Sequence, residues 1–355
     1  MPRQIHQILP FFGYGDAIGN HALGLRRVLR EWGYPSEIFA EVWEPRLAKE
    51  CHPYHTYREF SHPDNLLILH YSVGGQVNRF VLNLPDRVVI YYHNITPPHF
   101  FYAVNGDLAR RLQEARRDLP LLVEKASAIA DSPDNQRELE SIGFRVLGVV
   151  PPLLSFEYSQ SSHTIRFELT SDQSETTWLH VGRLAPNKCI HDVIKSFYYY
   201  HTWIAPRSRL LLVGTADGMQ EYVDALQRLV SRLGLEGAVI FTGRVEQVGH
   251  YYQMADVYVS MSEHEGFCIP LVEAMRYGVP VLAYASTGVP STMGDAGVLI
   301  LRKEYPAVAE IAHEVITNDS LRARLVKSQR DRLAAFAPEV VRDQLRKCLD
   351  LAFNS

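Results

Sequence analysis

The sequence predicts an α/β protein built as two doubly wound domains in tandem, facing each other across a cleft. Three observations carry that expectation. At 355 residues, the chain exceeds what one typical core organises. Short strand-like apolar runs alternate with helical stretches in two successive series, as in parallel sheets covered on both faces. Between the series lies a polar, serine-rich stretch, Ser155 to Ser174, which marks the junction. The predicted domains are 1–165 and 166–337, followed by a helical tail over 338–355.

The first series opens with a buried strand, Ile5 to Leu9, and a helix, Ala17 to Glu31, with Leu23, Val28 and Leu29 on its inner side. Between them, Gly13, Gly15 and Gly19 are spaced G-x-G-x-x-x-G, one residue longer than the dinucleotide fingerprint. No acidic residue takes the ribose-binding place, so no nicotinamide site is expected. The small residues there let backbone approach a ligand closely.

Strands are expected next at 36–42, 66–71, 88–93, 128–131 and 146–150. His93 closes the run VVIYYH, and strand carboxyl ends face the ligand crevice of an open α/β sheet. The bland alternative is a histidine satisfied by backbone; His70, in LLILHYSVGG, has the same placement and a weaker case. Cys51, His52 and His55 lack a further ligand at metal-site spacing and read as surface residues.

Residues 106–125 read as a basic amphipathic helix bent near Pro120. Leu108, Leu112, Ala115, Leu119 and Leu122 share its apolar face, with Arg110, Arg111, Arg116 and Arg117 elsewhere. A solvated face is the preferred reading, because Asp107, Glu114, Asp118 and Glu124 dilute the charge. Peripheral contact with the inner face of a membrane is the alternative.

The second series predicts strands at 177–181, 209–213, 238–242 and 257–260 and helices at 190–200, 220–233 and 246–254. After the last strand comes a polar loop holding Glu263, His264, Glu265 and Gly266. A helix then opens at Pro270, with Leu271, Ala274 and Met275 on one face. The amides of Gly266, Phe267 and Cys268 and the positive helix end suit an anion such as a diphosphate. Glu265 and Glu273 flank that spot; ionised carboxylates only accept hydrogen bonds, which fits a ligand rich in hydroxyls, such as a sugar and a ribose. The strand at 177–181 feeds Gly182, Arg183, Leu184, Ala185, Pro186, Asn187 and Lys188, where an arginine and a lysine can neutralise a diphosphate. At the same edge, Arg244 and the backbone around Val245 suit a base or ribose. Taken alone, the Glu265 loop is equally well explained as a solvated loop, and the Arg183–Lys188 loop is better explained by exposed bases; their pairing at strand ends of one domain shifts the balance.

Hydrophobic residues at 46%, charged residues at 21% and a net charge of -4 are ordinary for a globular protein and argue against nucleic-acid binding. Four scattered cysteines without C-x-x-C argue against a disulfide framework or a structural zinc, and point to a reducing compartment. No apolar run approaches the ~18 residues of a membrane span. The N-terminal apolar stretch is too short for a signal peptide. The expected location is cytoplasmic.

Taken together and in order, GRLAPNK, LLLVGTADG, FTGRVEQVGHYYQMADVYVSMSEHEGFCIPLVEAM and YGVPVLAYASTGVPSTMGDAGVLI resemble the family-4 retaining glycosyltransferases of GT-B fold, also known as glycosyl transferases group 1. That resemblance implies two Rossmann-like domains, a nucleotide-diphosphate sugar as donor substrate, a hydroxyl acceptor and no cofactor. It implies that Arg183 and Lys188 hold the donor diphosphate, with Gly182 in their loop. It also implies that Gly266, Phe267 and Cys268 contact phosphates and sugar, Glu265 the sugar hydroxyls and Glu273 the ribose. Gly13, Gly15 and Asp16 resemble the glycine-rich loop facing the donor, His93 matches the N-domain active-site histidine, and the tail from Pro338 is expected to pack back on the first domain. The chain departs from many relatives in Ser291, where they carry glutamate, and in Gly15 with Asp16, where they carry two glycines.

No D-x-D occurs in the chain, so a metal clamp of that kind lacks its ligands and the expected hexosyl transfer is metal-independent; the resemblance implies that it proceeds with retention. In this scheme Arg183, Lys188, Glu265 and His93 are catalytic. The donor preference leans to GDP-mannose, with UDP-linked sugars close behind. A nucleotide-sugar epimerase of the same architecture and a non-catalytic nucleotide-sugar-binding subunit are the alternatives.

Overall fold

A computed structural model describes residues 3–153 and 175–354. The expected junction at residue 165 therefore lies outside the described residues. Two compact units are present: 3–102, 106–153 and 335–354 form the first, and 103–105 with 175–334 the second.

In the first unit the chain runs β1 (Ile5–Phe12), α1 (Ala17–Glu31), β2 (Ile38–Trp43), β3 (His52–Pro53), β4 (Leu66–Tyr71), α2 (Gln76–Phe80), β5 (Arg87–Tyr92), α3 (Gly106–Asp118), β6 (Ala126–Ala130), α4 (Pro133–Ile142) and β7 (Val146–Val149). The strands pair in parallel in the order β3-β2-β1-β4-β5-β6-β7. β4 is apolar except for His70 and buried throughout, as expected of a strand covered on both faces. Two features depart from the sequence expectation. α3 ends at Asp118 and gives way to a 3-10 turn, Leu119–Leu122, because Pro120 cannot donate the next helical hydrogen bond. Cys51 is buried rather than on the surface, its thiol against the Leu47 carbonyl oxygen at 3.6 Å, whereas His52 and His55 are exposed.

The second unit runs β8 (Thr176–Val181), α5 (Ile190–Tyr199), β9 (Ser208–Val213), α6 (Gln220–Arg232), β10 (Val239–Gly243), α7 (Gly249–Met254), β11 (Val257–Ser260), α8 (Ile269–Arg276), β12 (Val281–Tyr284), α9 (Val289–Met293), β13 (Val298–Ile300), α10 (Tyr305–Thr317) and α11 (Asp319–Leu333). Its sheet is also parallel, in the order β10-β9-β8-β11-β12-β13. α7 begins three residues later than expected, at Gly249, and α8 one residue earlier, at Ile269.

Each unit is thus doubly wound, with the strand order reversing beside its first strand, at β1/β4 and at β8/β11. Ligands of open α/β sheets sit beyond the carboxyl ends of strands at such reversals. A last helix, α12 (Pro338–Phe353), returns to the first unit. Its Val341, Leu345, Leu349 and Phe353 join a core with Ile5, Leu25, Leu29 and Ile129.

Candidate functional site

The second unit gathers its chemistry at the β8/β11 reversal. Two loops leave the neighbouring strands there and are tied together. The Glu263 amide donates to the Asn187 carbonyl oxygen at 2.9 Å, and the Asn187 side-chain amide donates to the His264 carbonyl oxygen at 3.2 Å. Lys188 then reaches Glu265, its ammonium 2.7 and 2.6 Å from the two carboxylate oxygens. Glu265 is buried and its side chain is 7% exposed, against 21% for that of Lys188. Burial alone would raise the Glu265 carboxyl, but the Lys188 charge and its hydrogen bonds outweigh burial and hold it below the usual carboxylate range.

A third segment, 286–292, braces the second loop. Thr287 Oγ1 accepts from the Glu265 amide and donates to the Glu265 carbonyl oxygen, both at 2.8 Å. Ser286 donates to the Ser262 carbonyl oxygen and Thr292 to that of Phe267, each at 2.5 Å. A Cβ at Gly288 would stand 2.0 Å from the Gly266 carbonyl oxygen, so only glycine allows these backbones to meet. Ser291, one of the departures noted above, donates to the Gly288 carbonyl oxygen at 2.9 Å and stays within this segment. Lys303 adds an outer clamp between Glu263, 2.8 Å away, and Asp192, 2.9 Å away.

The bracing holds strained backbone in place. Cys268, at φ 68, caps α8, Cys189, at φ 49, caps α5, and Thr287 has φ 39. Left-handed non-glycine residues of this sort collect where a loop must present backbone to a ligand. Among the described residues, no acceptor is paired with the backbone amide of Gly266 or Cys268, as helix starts leave them. Phe267 and Cys268 are buried.

Glu273, on α8, accepts from the Tyr252 hydroxyl at 2.8 Å; burial raises its carboxyl against that hydrogen bond. Gly182 and the exposed Arg183 start the loop that carries Lys188. Arg244 pairs with Asp217 at 3.0 Å, and Val245 packs against the core beneath.

In the first unit, Gly13, Gly15 and Asp16 follow β1. The Asp16 carboxylate accepts from the Ile18 amide at 2.7 Å and so caps α1. A Cβ at Gly19 would fall 2.1 Å from the Gly13 carbonyl oxygen, which accounts for the longer glycine spacing. His93 follows β5, with its side chain 6% exposed, and its Nε2 lies 2.9 Å from His70 Nδ1. Its Nδ1 lies 3.8 Å from the buried Asp131. Burial and the neighbouring His70 and His21 hold the His93 imidazolium well below its usual range.

Sequence reasoning missed His21 and Asp131, which neighbour this histidine, and Gln7, which bonds to His70, and it underrated His70. Among the described residues, two groups offer metal-ligand atoms within 4.8 Å of one another, His21 with His70 and His93, and Cys189 with His191 and Asp192. In the first, the facing His70 and His93 nitrogens are already engaged with each other.

The predicted basic helix looks different in place. Arg110 pairs with Asp107 and Glu114, Arg116 with Glu138 and Arg117 with Asp118, while Arg111 donates to the Gly74 carbonyl oxygen. Among the described residues, no helix is long and apolar enough to cross a membrane.

Residues 161–332 match the family model described as Glycosyl transferases group 1. That match spans just under half of the chain. Over 169 residues the chain is 30% identical to N-acetyl-alpha-D-glucosaminyl L-malate synthase of Bacillus anthracis, covering 47% of this chain and 43% of that protein. It is 31% identical over 146 residues to O-antigen chain mannosyltransferase B of Escherichia coli, covering 41% and 38%. The chain thus spans less than half the length of these curated relatives. Among solved structures, Anabaena HepE in complex with UDP-glucose superposes with a TM-score of 0.76 at 20% identity, covering 97% of this chain and 99% of that one. At that identity the likeness establishes the fold, the two-domain GT-B architecture of parallel sheets.

Proposed function

We propose that the chain is a glycosyltransferase that moves a hexose from a nucleotide-diphosphate sugar to a hydroxyl acceptor. The observation that carries this reading is the buried Lys188–Glu265 pair, seated between two cross-tied loops at the β8/β11 reversal. A cation for phosphate and a carboxylate for sugar hydroxyls stand side by side where a phosphate joins its sugar.

The division of labour follows from the chemistry of each group. Arg183 and Lys188 neutralise the diphosphate, with the amides of Gly266, Phe267 and Cys268 at the start of α8 donating to its remaining oxygens. Phosphate draws the Lys188 ammonium from Glu265, whose carboxylate then accepts from the hydroxyls of the sugar. Glu273 receives the ribose, and Arg244 and Val245 the base. Charge growing on the leaving diphosphate is stabilised by groups already in place, the largest single contribution such a site makes. With no D-x-D in the chain, these cations do the work of a metal. We read the transfer as retaining: the departing phosphate oxygen takes the acceptor proton on the same face, while His93 orients the sugar.

Two relatives bear on the donor. The Escherichia coli protein is named a mannosyltransferase, in line with our lean to GDP-mannose, and the HepE complex holds UDP-glucose, in line with a UDP sugar. A thermal-shift screen against UDP, GDP, ADP and dTDP sugars decides between them. A donor at 100 times its dissociation constant adds about 2.7 kcal/mol of stability. Arg183→Ala, Lys188→Ala and Glu265→Ala are each expected to lower transfer about 100-fold or more. Wild-type transfer from all three variants overturns the reading. Conversion of the donor without acceptor would point to an epimerase instead.

A further inference from the structure

Gln7, His70 and His93 form a chain of hydrogen bonds whose direction is set at one end. The Gln7 side-chain amide donates through Nε2 to the Ala22 carbonyl oxygen at 3.1 Å. A carbonyl only accepts, so this bond fixes which end of the amide is nitrogen. Gln7 Oε1 therefore faces His70 Nε2, 2.9 Å away, and accepts from it. Neutral His70 then carries its one proton on Nε2, and its Nδ1 accepts the hydrogen bond that joins it to His93 Nε2 at 2.9 Å. His93 is left with a proton on Nε2 and a lone pair on Nδ1.

The surroundings keep this arrangement neutral and rigid. Gln7 and His70 are buried, and burial pushes the His70 imidazolium down to about 3. His21 is pinned by the Leu153 amide, which donates to its Nδ1 at 2.9 Å, and its ring meets those of His70 and His93 edge to face. Asp131, the acid facing His93 Nδ1, accepts from the Asn135 side-chain amide at 2.5 Å, and burial pushes its carboxyl up to about 7, so it does not confront the lone pair as a fully ionised group.

We propose that Gln7 and His70 are positioning residues that hold His93 in the Nε2–H tautomer, so that its ring meets a ligand only as a hydrogen-bond acceptor through Nδ1. This rests on the reading of His93 as the sugar-orienting group; the ligand group it selects is a sugar hydroxyl acting as donor. An acceptor of this kind discriminates against a sugar analogue in which that hydroxyl is missing, since the buried lone pair is then left unpaired.

The test is long-range 15N–1H correlation spectroscopy of full-length protein labelled at histidine, with the His93 signals assigned by their loss in His93→Asn. The wild-type spectrum is expected to show a protonated Nε2 and an unprotonated Nδ1 for both His93 and His70. Gln7→Leu removes the acceptor that sets the direction. The satisfied alternative is then the reverse chain, with His70 Nδ1–H donating to His93 Nε2 and His93 Nδ1–H facing Asp131. Gln7→Leu is expected to move both tautomers and to lower kcat for transfer about tenfold while the donor-induced thermal shift stays near wild type. A protonated Nδ1 on wild-type His93, or unchanged tautomers in Gln7→Leu, overturns the proposal. Unimpaired transfer by His93→Asn overturns the sugar-orienting role instead, and leaves the tautomer assignment to stand or fall on the spectra.

Discussion

Removing the Lys188 ammonium by Lys188→Met leaves a carboxylate buried without its counter-charge. The Glu265 side chain is 7% exposed and both its oxygens are engaged by Lys188, so solvent cannot replace what is lost. Breaking a buried pair from one side costs about 3–5 kcal/mol; the 21% exposure of Lys188 argues for the lower end, about 3 kcal/mol. In a domain of this size that is a fall of about 6–12 °C in Tm. The loss must depend on pH, in a direction that the pair itself sets. In the wild type the Glu265 carboxyl is held below its unfolded value. The pair therefore contributes stability above the ordinary carboxylate range and loses it as pH falls through the lowered value. In Lys188→Met, burial, the largest influence, is opposed only by hydrogen bonds from Ser262 and Cys268 and lifts the carboxyl above that range, so protonation relieves the variant first. The deficit relative to wild type should be greatest near about pH 8 and shrink towards about pH 5. Lys188→Met/Glu265→Gln, which removes the stranded charge, should be more stable than Lys188→Met alone. Calorimetric unfolding of wild type and the two variants across that range measures this. A deficit that stays constant with pH, or a double variant weaker than Lys188→Met, refutes the electrostatic account.

Gly288→Ala places a methyl group 2.0 Å from the Gly266 carbonyl oxygen, so backbone must shift. It should destabilise by about 1–3 kcal/mol and weaken donor binding, and unchanged binding by calorimetry would show that the 286–292 brace does not shape the loop. Leu345→Ala empties part of the core that α12 shares with β1 and α1, at a cost of about 2–5 kcal/mol. Limited proteolysis should then cut the chain near α12 well before the second unit opens; equal protection in variant and wild type counts against that packing.

The fold was legible because parallel strands buried on both faces leave a plain mark. LLILHY, VVIYY and LLLV are almost continuous apolar runs, and α1, β4, β11 and α12 occupy the residues that periodicity assigns to them. The helix around Pro120 was misjudged for a local reason: a proline following a full helical segment can bend it or end it, and here the chain resumes as a 3-10 turn. Cys51 was taken for surface because its neighbours His52 and His55 are polar. Only the packing around Leu47 and Ala40 decides where a single thiol goes. Lys188 and Glu265 were recognisable as partners in one site, since each stands on the loop after a strand. That they pair with each other could not be read from positions 77 apart.

What escaped the sequence shares a cause. Gln7, His21 and Asp131 are spread from the first strand to the end of the sixth, and none looks catalytic where it stands; their meaning, like the weight of His70, comes from the register that sets β1 beside β4 and β4 beside β5. Gln7 sits beside His6 within a largely apolar strand, IHQILPFF, where a buried amide costs stability unless both its ends find partners. Ala22 and His70 satisfy both, and that satisfaction gives the array its direction. The segment 286–292 follows the same logic. Thr287 meets Glu265 twice across 22 positions, while holding a left-handed backbone that threonine resists. A buried polar residue inside a strand, or a β-branched residue in a turn that strains it, is locally unfavourable in any sequence. Those local costs point to sites that the apolar pattern alone does not mark.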